Sequence, residues 1–201
     1  MILFFDTETT GFPDWKLSLS HESQPYIVQL AAQLCDEYGR TLAEMCVVID
    51  NDVDIPERAS AVHGITRERA AEIGIPADVA IDLFNHLYVK ADLIVAHNVN
   101  FDKKITEIAW ARRLDWTPIP KPTFCTMNAS APVVNIPPTE KMLAAGFTKP
   151  KAPKLEECVK HFFGEELSGA HDAMIDVVAC RRVFFHLKSL EQNAAGQEIA
   201  A

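Results

Sequence analysis

The sequence predicts an α/β domain built on a mixed β-sheet. Strand-like runs lead the chain, a glycine turn joins two of them into a hairpin, and strands then alternate with helical periods. The strand-like stretches are 2–8, 26–37 and 41–50, with Gly39 in "EYGR" as the tight turn between the second and third. Residues 11–25, with Gly11, Pro13, Ser18, Ser20 and Pro25, read as a loop long enough to be functional.

Beyond Pro56 the period becomes helical. Thr66 caps "TRERAAEIG", which stops at Gly74, and Pro76 opens a helix with Val79, Leu83, Phe84 and Leu87 at helical spacing. "DLIVAH" (92–97) is a short buried strand, and 101–114 a helix with Phe101, Ile105, Ile108 and Ala109 on one face. The proline-rich residues 115–153 read as one long irregular segment, within which Phe124 and Trp116 are core or cover residues, with base stacking as their alternative role. A helix over 154–164 turns Leu155, Cys158, Val159 and Phe162 inward and ends at Gly164, and a last helix runs from Asp172 to Leu190. Residues 1–190 thus form one domain, with 191–201 as a frayed tail and no internal repeat.

A chain of 201 residues with 23% charged and 48% hydrophobic residues can bury a sizeable core, and its composition excludes disorder. No apolar run reaches the roughly 18 residues of a membrane span. "MILFF" meets an acid at position 6 without a basic n-region, unlike a signal peptide. The five cysteines are odd in number, scattered and without CxxC, as expected of free thiols in a cytoplasmic protein. Net charge is −9 but unevenly spread. Residues 103–160 hold ten Lys/Arg against five Asp/Glu, and the remainder nine against twenty-three. A basic tract beside an acidic site is one reading of this asymmetry; a solvated mixed surface is the other.

The chemistry begins at "FFDTETTGF". Asp6 and Glu8 end an apolar strand two positions apart, so both project to one face, about 7 Å apart along the backbone. Two such anions need a positive partner between them. In "IVAHNVNFD", Asp102 opens a helix whose first turn stabilises an anion, and His97 and Asn98 support the loop before it. In "GAHDAMIDVV", Asp172 caps a helix. His171 and Asp176 lie five residues apart and converge only if His171 stands in the loop before that helix. Asp176 is flanked by the apolar Met174 and Val177, where an unpaired acid is costly and a metal offsets that cost.

The motifs "DTE", "NFD" and "HDAMID", with "DTETTG", "HGIT" and "HN..FD", resemble the DEDDh branch of the 3′→5′ exonuclease superfamily over residues 1 to about 188. That branch includes the proofreading subunit of bacterial replicative polymerases, ribonuclease T and oligoribonuclease. The resemblance implies a ribonuclease H-like fold. It makes Asp6, Glu8, Asp102 and Asp176 the acidic set around two Mg²⁺ or Mn²⁺ ions, and His171 the general base. Hard divalent cations do take oxygen ligands, paired ions suit in-line phosphoryl displacement, and histidine suits proton transfer near neutrality.

Thr9, Phe12 and His63 correspond to residues that grip the terminal nucleotide in the family; the alternative for Phe12 is packing beneath the loop, and for His63 a satisfied structural histidine. The proofreading relatives often carry an acid five residues before the "HGIT" histidine, where this chain has Arg58. The implied function is hydrolysis of single-stranded DNA from its 3′ end, releasing nucleoside 5′-monophosphates. The same chemistry on RNA is the alternative. A silent nucleic-acid-binding module and a structural protein with coincidental acids are further ones. Relatives are often dimers, but no stretch identifies a dimer face, and none supports a polymerase partner.

Overall fold

The computed structural model describes residues 1–112 and 118–199, without the side chains from 194 on. The expectation for Trp116 lies outside the described residues.

Strands β1 (Ile2–Thr9), β2 (Ile27–Cys35) and β3 (Thr41–Asp50) form an antiparallel meander. Helices α1 (Glu57–His63) and α2 (Arg67–Ile73) lead to the two-residue strand β4 (Ile75–Pro76) and then to α3 (Ala77–Tyr88). Next come β5 (Leu93–Ala96), α4 (Val99–Arg112), β6 (Thr123–Cys125), α5 (Thr126–Val134) and α6 (Glu140–Ala144). Helices α7 (Leu155–Phe163) and α8 (Ala173–Ile199) complete the chain. The sheet order is β4-β3-β2-β1-β5-β6, with β1–β5, β5–β6 and β3–β4 parallel. The mixed sheet is the one expected.

The expected turn sits at Gly39, in the left-handed region at φ 84°, with its N–H bonded to Asp36 O at 3.1 Å. A Cβ there would also meet the Phe185 ring at 2.9 Å. Thr66 caps α2 as expected, accepting from the Arg69 N–H.

The two faces of β1 build two cores. Leu3 and Phe5 pack with α3 and α4 through Phe84, Ile105 and Trp110. Phe4 packs on the opposite face with α7 and α8 through Val159, Val177 and Phe184. Period-two alternation carries Asp6 and Glu8 onward on the Phe4 side, under the start of α8. All nine residues of β2 are buried, so it reads as a continuous apolar run broken only by Gln29 and Gln33.

Three expectations need correction. Residues 115–153 are not irregular throughout: β6, α5 and α6 lie within them. β6 has three residues, too few to show a period, and its pairing to β5 creates it. On α3 the buried stripe is Ala80, Ile81, Phe84 and Tyr88, the positions around the Phe84 ring that meets Phe5 at 5.3 Å. Val79 and Leu83 are turned outward, each 45% exposed. The last helix continues past Leu190 to Ile199, because "EQNAAGQEI" is rich in helix formers and has no proline stop. Among the described residues no helix is long and apolar enough to cross a membrane. The five cysteines are unbridged, and Phe124 is the expected cover residue, its ring edge-on to Phe184 at 5.0 Å.

Candidate active site

β1 and β5 run parallel only as far as Phe4↔Val95. Beyond that register the strands part and a cleft opens at their carboxyl ends, as in other open α/β sheets. The cleft has a volume of about 620 Å³, and Asp6, Glu8, Asp102, His171 and Asp176 all line it.

Asp102 enters from the first turn of α4, which the chain reaches through Asn98 in a left-handed turn at φ 70°. It is only 2% exposed. Its Oδ1 accepts both the Thr7 N–H at 3.1 Å and the Thr7 hydroxyl at 2.8 Å. The carboxylate thus stands where a neighbouring strand's carbonyl would be, stitching α4 to β1. Asp176 enters from the first turn of α8. Its Oδ2 accepts the backbone N–H of His171 at 3.0 Å. His171 lies before the helix, as the cap predicted, in a left-handed turn at φ 70° that follows Gly169. This folds the exposed imidazole back until Glu8, His171 and Asp176 present atoms within 4.8 Å of one another.

Two positioning residues were not expected. Thr7 holds Asp102, as above. Gln29 pairs with Glu8 across β1–β2, and its Oε1 accepts the Ala173 N–H at 3.1 Å. Its Nε2 lies 3.4 Å from Asp172 Oδ2, while Asp172 Oδ1 caps the N–H groups of Met174 and Ile175. Gln29 therefore pins the start of α8 over Glu8. A glutamine in an otherwise apolar strand was the available signal, since buried amides require partners.

Thr9 donates its hydroxyl to Gly11 O at 2.7 Å, so its side chain shapes the loop and its backbone borders the cleft. Phe12 is 87% exposed and rests edge-on against Phe101, centroids 5.9 Å apart. His63 ends α1; its Nδ1 accepts the Ile65 N–H, and its buried Nε2 has no hydrogen-bond partner among the described residues. His97 bonds Thr126 Oγ1 and Pro153 O, both at 3.0 Å, and so braces the cleft wall as a loop support.

Of the ten Lys/Arg in residues 103–160, four lysines are paired with carboxylates among the described residues. Lys151 pairs with Glu157, Lys154 with Glu156, Lys160 with Glu166, and Lys103 with Glu107.

Burial, then the neighbouring charges of Asp102, Asp176 and Glu8, raise the Asp6 carboxyl well above its ordinary value. Glu8 is pushed up to about 8, by burial first and then by Asp176 and Asp102. Asp102 is raised to about 7 by burial, against the lowering effect of its Thr7 hydrogen bonds. Asp176 is also raised, chiefly by burial. Four carboxyls whose values are all raised by burial offer an all-oxygen donor set in want of positive charge, the chemistry that Mg²⁺ and Mn²⁺ fit.

A stability prediction follows. Groups with raised folded-state values stabilise the fold fully below the ordinary carboxylate range and lose that contribution as pH rises through about 7 and 8, the Asp102 and Glu8 values. The metal-free Tm should fall between pH 5 and 9. Added Mg²⁺ or Mn²⁺ should raise it most at the alkaline end, where fewer protons compete. A metal-free Tm that stayed flat over this interval would show four well-solvated acids.

No curated protein matches the chain in sequence. Solved structures of E. coli exonuclease I do match in fold. The zinc-bound complex with single-stranded DNA superposes with a TM-score of 0.70 at 22% identity, over 95% of this chain and 41% of that one. The dA16 complex gives 0.69 at 22% identity, over 94% and 40%, and the dT13 complex 0.70 at 21% identity, over 98% and 42%. This chain therefore spans about two-fifths of the length of those structures. Residues 3–184 match the sequence model of the RNase T family, whose description is exonuclease. With the mixed sheet and its helices in the ribonuclease H-like arrangement, the chain belongs to the RNase T exonuclease family, within the DEDDh 3′→5′ exonuclease superfamily.

Proposed function

We propose that this chain removes nucleotides one at a time from the 3′ end of single-stranded DNA, releasing nucleoside 5′-monophosphates. The observation that carries this reading is the convergence of Asp6, Glu8, Asp102, Asp176 and His171 on one cleft. The four carboxylates would hold two Mg²⁺ or Mn²⁺ ions. Bound there, such ions supply positive charge to the attacking and leaving oxygens of an in-line displacement. His171, exposed on its turn and held by its own N–H to Asp176, takes the proton from the attacking water. Phe12 offers an open ring face to the terminal base, because stacking tolerates any sequence. The Thr9 backbone and His63 border the same end of the cleft and complete the grip on the terminal nucleotide. DNA is favoured over RNA because the superposed exonuclease I structures carry DNA oligonucleotides.

The test supplies 5′-labelled DNA and RNA strands of matched sequence with Mg²⁺, with Mn²⁺ and with chelator. The expected result is a ladder of DNA products shortened from the 3′ end, slower shortening of RNA, and no products with chelator. Faster shortening of RNA would reassign the substrate. Intact strands in every metal would reject the hydrolytic reading and favour a binding module.

A further inference from the structure

From the edge of the cleft outward, the loop after β1 lies along α4 in two successive rungs. In the first, Phe12 leans on Phe101; in the second, the Lys104 ammonium lies 5.6 Å from the centre of the Trp15 ring. Phe101 and Lys104 are three residues apart on one helix, so the rungs share a side of α4 and step outward by roughly 4.5 Å. Trp15 is 61% exposed, a large aromatic displayed next to an 87% exposed Phe12.

This display is held rigidly. Gln24, 1% exposed, accepts the Asp14 N–H at 3.0 Å and donates to Asp14 O at 2.9 Å. On the other side of Trp15, the Lys16 N–H donates to Asp14 Oδ1 at 2.8 Å. Arg112 in turn binds the carbonyls of Gln24 and Pro25 at 2.6 and 2.7 Å. A buried glutamine and an arginine thus clamp the backbone on which the indole stands. Lys104 and Lys16 have no carboxylate partner among the described residues, unlike the lysines of the 151–160 wall. An aromatic face with the unneutralised Lys104 ammonium beside it suits a base and its phosphate.

We propose that Trp15 and Lys104 form a second nucleotide subsite, in which the base preceding the terminal one stacks on the indole and a phosphate meets the ammonium. The proposal rests on the reading of Phe12 as the platform for the terminal base. It routes the upstream strand over the loop and α4, away from the neutralised lysines near Glu157.

Binding of a ten-residue oligo(dT) can be followed by fluorescence anisotropy, with Ca²⁺ present to offset the acidic cluster. Trp15→Ala should weaken Kd roughly 5- to 100-fold, the loss of one base–aromatic stack. Trp15→Phe should restore most of it. Lys104→Ala should weaken binding and reduce the slope of log Kd against log salt by about one contact. Thymidine 5′-monophosphate, which has a single base, should bind wild type and Trp15→Ala alike. Unchanged oligo(dT) affinity in Trp15→Ala, or an equal loss for the mononucleotide, would overturn the subsite. Turnover is scored separately: a wild-type protein that binds through Trp15 yet never cleaves would reject the exonuclease reading and leave the subsite standing.

Discussion

Asp6→Ala should abolish hydrolysis while the protein stays folded. Asp6 sits where the fields of Asp102, Asp176 and Glu8 overlap, and its side chain makes no hydrogen bond or ion pair among the described residues. Removing it takes an oxygen donor from the cluster and nothing from the core. Charge stabilisation by a bound ion amounts to several kcal/mol, so turnover should drop by roughly 10³-fold or more. The metal-free Tm should rise, because one of four mutually repelling carboxyls is gone, and the Mn²⁺-induced Tm gain should shrink.

Asp176→Ala should be equally inactive without that rise in Tm. Its Oδ2 accepts the His171 N–H, so its loss also releases the turn carrying the imidazole. Asp176→Asn, which keeps an acceptor, should recover the turn but not the turnover. Near-wild-type turnover in Asp6→Ala or Asp176→Ala would remove the metal-dependent mechanism.

His171→Ala should slow hydrolysis by roughly 10²–10⁴-fold, the usual contribution of a positioned general base. Its imidazole stands close enough to Glu8 and Asp176 to serve either as a base or as a metal ligand. The two roles separate in one pair of measurements. A base mutant keeps the Mn²⁺-induced gain in Tm and loses the pH dependence of the rate that the imidazole imposes. A ligand mutant loses the Mn²⁺ gain and keeps the pH profile. A rate unchanged from pH 6 to 9 in both proteins would leave His171 with a structural role alone.

Much of the site was legible because it is set by local backbone geometry. The period of a strand places Asp6 and Glu8 on one face whatever surrounds them. The Asp172 cap starts α8 just after His171 and so leaves His171 in the loop, and a helix start puts Asp102 beside free amides. Phe84 shows where such reasoning stops. The apolar pattern of α3 admitted Val79 and Leu83, but the rotation of the helix is decided by the ring of Phe84 against Phe5. β6 was hidden for a related reason, since three residues after Pro122 become a strand only when β5 supplies the hydrogen bonds.

The sequence by itself determined the fold class, the five residues that converge and the loop that carries the imidazole. The fold class and that loop follow from dihedral preferences and spacing over a few residues, whereas the set of five follows from the resemblance that its motifs carry. Only the tertiary structure decided that Thr7 holds Asp102, that Gln29 pins α8, that Glu157 and Glu166 pair with Lys151 and Lys160 of the basic tract, and that Trp15 faces outward on a clamped loop. Those outcomes depend on which side chains meet across the sheet, and electrostatic and packing energies fall off too steeply with distance for a linear reading to rank them.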